Sequence, residues 1–496
     1  MPLGPFPPLA LKTGHGGPGL DSSYPVGLAL SGGGHRAALF GLGVLMALRD
    51  AGKLPRQIAS VSGGSITNAF LADRFFSDKA RDGRVDDDDA WADATRRLFE
   101  MIVEQGVLTR PWISALAVLL GLPPLLLGAA ALLGWLTWPT IALLTTVWLT
   151  AALLRGLLVE KLIARRLFGR SRRTLADLES SSLEHAICCT DLVTGRPVYA
   201  STRDGGVLFR RLEDRSSETP LTVQSGDAQK RELERTGTLH RIPGLSAAGL
   251  VRASSGFPGI PPRRIRLDAS PPALLSDGGI WNNLATQPFE DAFLWTHDGP
   301  WVVLTADASS PLDNAPAWQF QIPGWAEIAA LLRQATILNV NTVLPRRRVF
   351  REEVRRELVS ARSARFTSER LYPLVSIEDT PDTILERTDA YGDSYDDAFL
   401  VESEVERRQE RRDELEDRVG SLRGSEKLAE LLRMSGPRDS RPDPVATAPT
   451  TLGRIDRDTA LAIVGRGYAN TAVTLYLTLL TDTISAPSGW IAEDRI

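Results

Sequence analysis

The chain opens its patterned part with a short apolar run, Val26–Leu30, that breaks at Ser31-Gly32-Gly33-Gly34-His35-Arg36 and continues into Ala37–Asp50, where apolar residues recur at helical spacing. A second short apolar run ends in Ser60-Val61-Ser62-Gly63-Gly64 and leads into a helix-like Ser65–Phe75. Strand, glycine turn and helix in this order, repeated, predict an α/β domain with a parallel sheet. Ala90–Ile102 reads as an amphipathic helix, and the acidic run Asp86–Asp89 before it as a solvated loop or helix start. From Pro111 to Leu154 no residue is charged. A membrane span needs about 20 apolar residues, so this run predicts a hairpin of two, Trp112–Gly134 and Trp138–Leu158. Trp135 and Trp138 would lie at one interface and Trp112 at the other. Arg110 precedes the run, and Arg155, Lys161, Arg165, Arg166, Arg170, Arg172 and Arg173 follow it, which places both ends on the cytoplasmic side. Pro123-Pro124 would break a straight span and keeps a re-entrant or interfacial hairpin open.

Beyond the insertion the α/β pattern resumes. Leu183–Thr190 and Pro197–Thr202 read as strands around the turn Asp191-Leu192-Val193-Thr194-Gly195, and 203–241 as an irregular polar surface excursion. Ser246–Ser254 reads as a short helix and Trp301–Ala306 as a buried strand. Trp325–Asn341, the charged stretch from Arg348, the Glu/Arg/Leu-rich Ala398–Met434 and Arg457–Asp482 read as helices, the last packing on the domain. Met434–Pro449 has the Pro/Ser/Asp composition of a linker.

At 496 residues, two or three structural units are expected. A net charge of −4 argues against nucleic acid as the main partner. Cys188 and Cys189, the only two cysteines, are adjacent, so they point to opposite faces of a strand, form no disulfide framework and supply no metal quartet. Residues 1–25 read as an irregular arm without the features of a signal peptide, and the domain that follows is expected in the cytoplasm.

The two glycine turns suggest chemistry. Gly-x-Ser-x-Gly works because small flanking residues let a strand turn sharply into a helix with the hydroxyl exposed. Here Ser60 replaces the first glycine, Ser62 is the central serine, and Ser65 is a weaker competitor. Gly32, Gly33 and Gly34 sit where backbone N–H groups at a helix N-terminus bind an anion. A Walker loop is excluded for want of Gly-Lys-Ser/Thr, whereas a short dinucleotide fingerprint remains a loose match. None of the five histidines lies in a recognisable catalytic setting. An alternative base is Asp277, in Ser276-Asp277-Gly278-Gly279 at the end of an apolar run, although Asp-Gly pairs are usually plain turns.

Taken in order, Gly-Gly-Gly-x-Arg, the serine turn and the later Asp-Gly-Gly resemble the patatin-like phospholipases. Asp191–Gly195 and Ala253-Ser254-Ser255-Gly256-Phe257-Pro258 are similar to two further segments of that family, and the likeness covers roughly residues 26–310 with 100–180 looped out. The resemblance implies a three-layer α/β/α domain; with the composition of the rest of the chain, this domain is expected in two parts, 26–109 and 161–345, around the inserted hairpin 110–160, followed by a charged helical region 346–433, a linker 434–449 and a C-terminal helix 450–496. It implies Ser62 as nucleophile, Asp277 as its base, an oxyanion hole from Gly32, Gly33 and Gly34, Arg36 bracing that loop, and no metal or organic cofactor. The expected activity is hydrolysis of phospholipid acyl esters at the bilayer through an acyl-serine. An inactive membrane scaffold on the same fold and an acyltransferase are the alternatives.

Overall fold

The computed structural model describes residues 26–80, 87–107, 137–169, 172–180, 183–202, 206–210, 237–242, 244–256, 262–267, 270–290, 302–309, 343–351, 372–389, 402–436, 443–448, 452–478, 480–485 and 490–493, with single positions between them. The N-terminal arm, the first expected span Trp112–Gly134 and the helix expected at Trp325–Asn341 lie outside the described residues.

Among the described residues ten strands form one sheet: β1 (Val26–Leu30), β2 (Gln57–Ser60), β3 (Glu184–Asp191), β4 (Arg196–Ser201), β5 (Gly206–Arg210), β6 (Gly237–Arg241), β7 (Arg263–Leu267), β8 (Ser270–Asp277), β9 (Val302–Asp307) and β10 (Leu374–Ser376). Their order is β10-β9-β1-β2-β3-β4-β5-β6, with β8 also on β3 and β7 on β8. The parallel sheet expected from the repeated strand–turn–helix unit holds for β10, β9, β1, β2 and β3. Past β3 the sheet is antiparallel. The polar stretch 203–241, expected as an irregular excursion, contributes β5 and β6. Their backbone pairing carries these strands where apolar alternation is thin.

Alternation along the strands divides the core in two. Leu28, Leu30, Ile58, Ile187 and Cys189 face one apolar layer, and Ala29, Ala59, Ala186, Cys188 and Val303 face the other. Cys188 and Cys189 thus lie on opposite faces and form no disulfide. Helices α1 (Gly34–Asp50), α2 (Gly63–Leu71), α3 (Asp88–Glu100), α4 (Trp138–Leu167), α5 (Ala247–Ser254), α6 (Pro381–Asp389), α7 (Glu402–Leu422), α8 (Glu426–Ser435) and α9 (Arg457–Leu477) contribute to the larger layer. Residues 343–351 and the single turns Gly279–Asn282 and Gln287–Glu290 cover the smaller one. Both faces of the sheet are therefore covered, as parallel pairing requires.

α9 packs on α1 at backbone distance: a Cβ on Gly43 would meet Val464 O at 2.0 Å, and one on Gly467 would meet Phe40 O at 2.3 Å. The acidic run resolves into a cap, with Asp87 accepting from Ala90 N (3.0 Å) at the start of α3 and Asp88 paired with Arg49.

The expected transmembrane hairpin is not supported. Among the described residues no helix is long and apolar enough to cross a membrane. The region of the second expected span is the first part of α4, which runs on to Leu167. The continuation is amphipathic: Val159, Ile163 and Leu167 are buried in the core, and Glu160 pairs with Arg252 and Arg263. Farther out, Trp138 and Leu143 stay 82% and 63% exposed.

Candidate active site

β1 and β2 run parallel and end side by side, so their two glycine turns meet. Ser62 follows β2 with φ 51° and ψ −119° and caps α2. A non-glycine residue at positive φ is strained by roughly 1–3 kcal/mol and persists only where its surroundings hold it. Here the hold is visible. Ser62 N donates to Ser254 Oγ (3.0 Å), and Ser255 Oγ donates to Ser62 O (3.0 Å). Ser254 Oγ donates in turn to Cys188 O (2.7 Å) on β3. Gly64 N reaches back to Ser31 O (3.2 Å) in the first turn. Side-chain-free contact is required at Gly63, where a Cβ would fall 1.8 Å from Gly34 O. Replacing Gly63 by Ala is expected to push the two turns apart, destabilising the protein by roughly 3 kcal/mol. Thermal melts of the variant check this.

Ser60, the departure from Gly-x-Ser-x-Gly, is fully buried and its hydroxyl is used. Ser60 Oγ accepts from Asn68 Nδ2 (2.9 Å), lies 3.1 Å from Ser65 Oγ and reaches Ala186 O at 3.3 Å. Ser65 Oγ also lies 2.9 Å from Ser254 Oγ. Ser65, the competitor serine, is therefore a buried member of the network under the elbow.

Sheet register brings Asp277 to the same place. β4 occupies one edge of β3, so β2 and β8 share the other. β2 pairs up to Ser60↔Ile187 and β8 pairs down to Asp277↔Cys189. The two strands thus end head to head, two residues apart on β3, about 7 Å at the rise of a strand. Gly278 lies against Cys188, where a Cβ would be 2.5 Å from Cys188 O. Asp277 Oδ1 accepts from Gly279 N (2.8 Å). Ser62 and Asp277 are mostly buried, at 9% and 4% exposure.

Gly32, Gly33 and Gly34 lie on the other side of Ser62. A Cβ on Gly32 would meet Ser62 Cβ at 3.1 Å and Asn283 Oδ1 at 2.2 Å. Gly33 (φ 142°) and Gly34 (φ 61°) start α1 in conformations that favour glycine. Of the three glycines expected to form an oxyanion hole, Gly32 donates its N–H to Asn283 O (2.9 Å). The first N–H groups of a helix have no partner within it, and Gly34 opens α1 behind Gly33 as Gly63 opens α2.

Arg36 is buried. Its Nε donates to Ala308 O (2.9 Å) and its Nη1 to Ala448 O. Burial pushes its pKa down to about 10, against the opposing pull of Asp307 and Glu378. Neither buried histidine near the turns has the setting of a base. His35 Nδ1–H donates to Gly453 O (2.7 Å) and Nε2 accepts from Val107 N (3.3 Å), so both ring nitrogens serve backbone groups. His185 Nδ1 is bonded to Asn68 Oδ1. Burial lowers His35 to about 4 and His185 to about 3. Their unfolded forms titrate near 6.5. The unfolded chain therefore takes up protons first as pH falls, so the stability these rings contribute is complete above 6.5 and declines below it. At pH 5 the expected loss is about 2 kcal/mol per histidine. Melting temperatures from pH 7.5 to 5 check this, and a flat profile would contradict it.

Four contributors carry little or no sequence signal of their own. Ser254 and Ser255 stand in a segment noticed only for its resemblance, and nothing local shows that they clamp Ser62. Asn283 carries no sequence signal at all. Asp191 is a turn-former: its carboxylate accepts from Val193 N, Thr194 N, Thr194 Oγ and Leu274 N, tying β3 to β8.

A serine held at positive φ between a strand and a helix N-terminus, beside a second glycine-rich strand–helix turn, is the arrangement of the α/β hydrolytic enzymes. The chain belongs to the patatin-like phospholipase family, whose profile matches residues 28–290. No curated protein matches the chain. Among solved structures it is similar to human GIVD cytosolic phospholipase A2, at 14% identity and a TM-score of 0.29 over 63% of this chain. The chain spans about half of that protein, 48% of its length.

Proposed function

We propose that this protein hydrolyses phospholipid acyl esters by a Ser62–Asp277 dyad. The observation that carries the reading is Ser62 at φ 51°, clamped on both backbone atoms by Ser254 and Ser255 and abutting the glycine turn. Ser62 Oγ attacks the ester carbonyl carbon as its proton passes to Asp277. The N–H groups of Gly33, Gly34 and Gly63 take the negative charge on the carbonyl oxygen, aided by the positive ends of α1 and α2. Collapse breaks the ester C–O bond, and the lysolipid leaves with the proton from Asp277. Water, deprotonated by Asp277, then attacks acyl-Ser62, releasing the fatty acid and restoring the serine.

The reading includes association with the cytoplasmic side of a membrane. It is supported by the exposed apolar residues Trp138, Leu143 and Val147 on α4, followed along the same helix by Lys161, Arg165 and Arg166, a pairing of apolar and basic surface suited to an anionic leaflet. Mass spectrometry of phospholipid vesicles incubated with the protein tests the whole reading. Fatty acid and lysolipid in equal amounts are expected. Transfer of the acyl group to an added alcohol without free fatty acid would make it an acyltransferase, and unchanged lipid would overturn catalysis.

A further inference from the structure

The glycine turn is held from a part of the chain well beyond the family-matched segment. Its two first-turn side chains, His35 and Arg36, donate to Gly453 O and Ala448 O respectively. Both acceptors belong to C-terminal segments, 443–448 and 452–455, that lie across the N-terminus of α1. The first carries the composition of a linker, yet Val445, Ala446 and Ala448 are buried in the described structure. It is a laced turn: Asp443 Oδ1 accepts from Val445 N (2.9 Å) and Ala446 N (3.4 Å), while Asp443 Oδ2 pairs with Arg466 of α9. Arg466 is itself fully buried and donates to Ser435 O (2.9 Å) and Ile377 O (3.2 Å), linking the turn to α8 and to the end of β10.

The second segment is fastened on the opposite side. Arg454 Nε donates to Val103 O (3.1 Å), and a Cβ on Gly106 would lie 2.7 Å from the Gly453 carbonyl carbon. His35 bridges these pieces, one ring nitrogen on Gly453 O and the other on Val107 N. Because α9 touches α1 backbone to backbone at Gly43 and Gly467, the anchor of these segments is rigid with respect to the helix they steady.

We propose that segments 443–448 and 452–455 form a strap that sets the position of Gly33 and Gly34 through Arg36 and His35, making both side chains positioning residues for the oxyanion donors. The two carbonyls hold the first-turn side chains of α1, next to Gly33, while Gly34 O abuts Gly63 in the turn that carries Ser62. A small displacement of oriented donors lowers a rate far more than it lowers binding, because the donors act on charge that develops only in the transition state. The inference rests on the hydrolase reading for its catalytic consequence but not for the strap itself.

The test uses the full-length chain carrying Asp443→Ala, which unlaces the turn that presents Ala448. Asp443→Asn, which keeps an acceptor for Val445 and Ala446 but loses the charge pairing with Arg466, serves if the alanine variant folds poorly. Two readouts are taken. Amide exchange in Ala37–Phe40, the first bonded turn of α1, is expected to rise at least tenfold without change in β1 or α2. The kcat on a soluble ester, counted per site titrated with a fluorophosphonate, is expected to fall on the order of 10- to 100-fold with KM within twofold. Counting per titrated site removes any loss of folded protein. Unchanged exchange in Ala37–Phe40 overturns the strap, and raised exchange with wild-type kcat per site overturns its catalytic role. A wild-type protein that neither labels at Ser62 nor cleaves ester overturns the hydrolase reading, and the exchange result then decides the strap by itself.

Discussion

Ser62→Ala is expected to abolish fluorophosphonate labelling and to lower ester hydrolysis by roughly 10⁴- to 10⁶-fold, the loss seen when a serine nucleophile is removed. Folding should survive, because the contacts that hold the elbow use the Ser62 backbone N and O, which alanine retains. Intact-mass analysis after labelling reads the first effect and circular dichroism the second. A companion variant isolates the strain. Ser62→Gly is equally inactive, yet it relieves a residue held at φ 51°. Its melting temperature is expected to rise by about 1–2 °C. Labelling retained in Ser62→Ala would move the nucleophile elsewhere and remove the basis of the mechanism.

Asp277→Asn is expected to lower kcat by about 10⁴-fold with little change in KM, the size of effect produced when a carboxylate that supports a serine nucleophile becomes an amide. The substitution is nearly isosteric. Asn Oδ1 can accept from Gly279 N as Asp277 Oδ1 does at 2.8 Å, so the acid turn keeps its shape. What disappears is a group able to take a proton from Ser62 and return it to the leaving oxygen. Stopped-flow hydrolysis of an activated ester, compared with the phospholipid, sharpens the result. The good leaving group needs less protonation on departure, so Asp277→Asn should be slowed less on it. Equal activity of Asp277→Asn and wild type on both substrates would assign the base to another residue.

Much of this site was legible in the chain because its parts are local. Strand–turn–helix units announce themselves through an apolar run, glycines and helical spacing, and β1–α1 and β2–α2 start and stop within a few residues of the expected positions. The role of Ser60 was not legible, since its hydroxyl is matched by Asn68, Ser65 and Ala186, brought together only by folding. Nor were the clamp from Ser254 and Ser255, or Asn283, whose carbonyl takes Gly32 N–H. The apolar run misled differently. Hydropathy registers that residues are apolar but not the structure they enter: among the described residues the run is the start of α4, where Trp138 and Leu143 stay exposed, and only beyond it do Val159, Ile163 and Leu167 enter the domain's core.

The amino-acid sequence by itself determined the α/β class, the two glycine turns, the serine on one of them and the order of the motifs that mark the family. These depend on backbone freedom and side-chain periodicity, which act over a few residues. Only the tertiary structure decided that β2 and β8 end head to head on one edge of β3, so that Ser62 and Asp277 converge. It also decided that a linker-like stretch near the C-terminus grips the start of α1. Both follow from strand register and from the pairing of buried polar groups that must find partners once water is gone, and such partners lie hundreds of residues away in the chain.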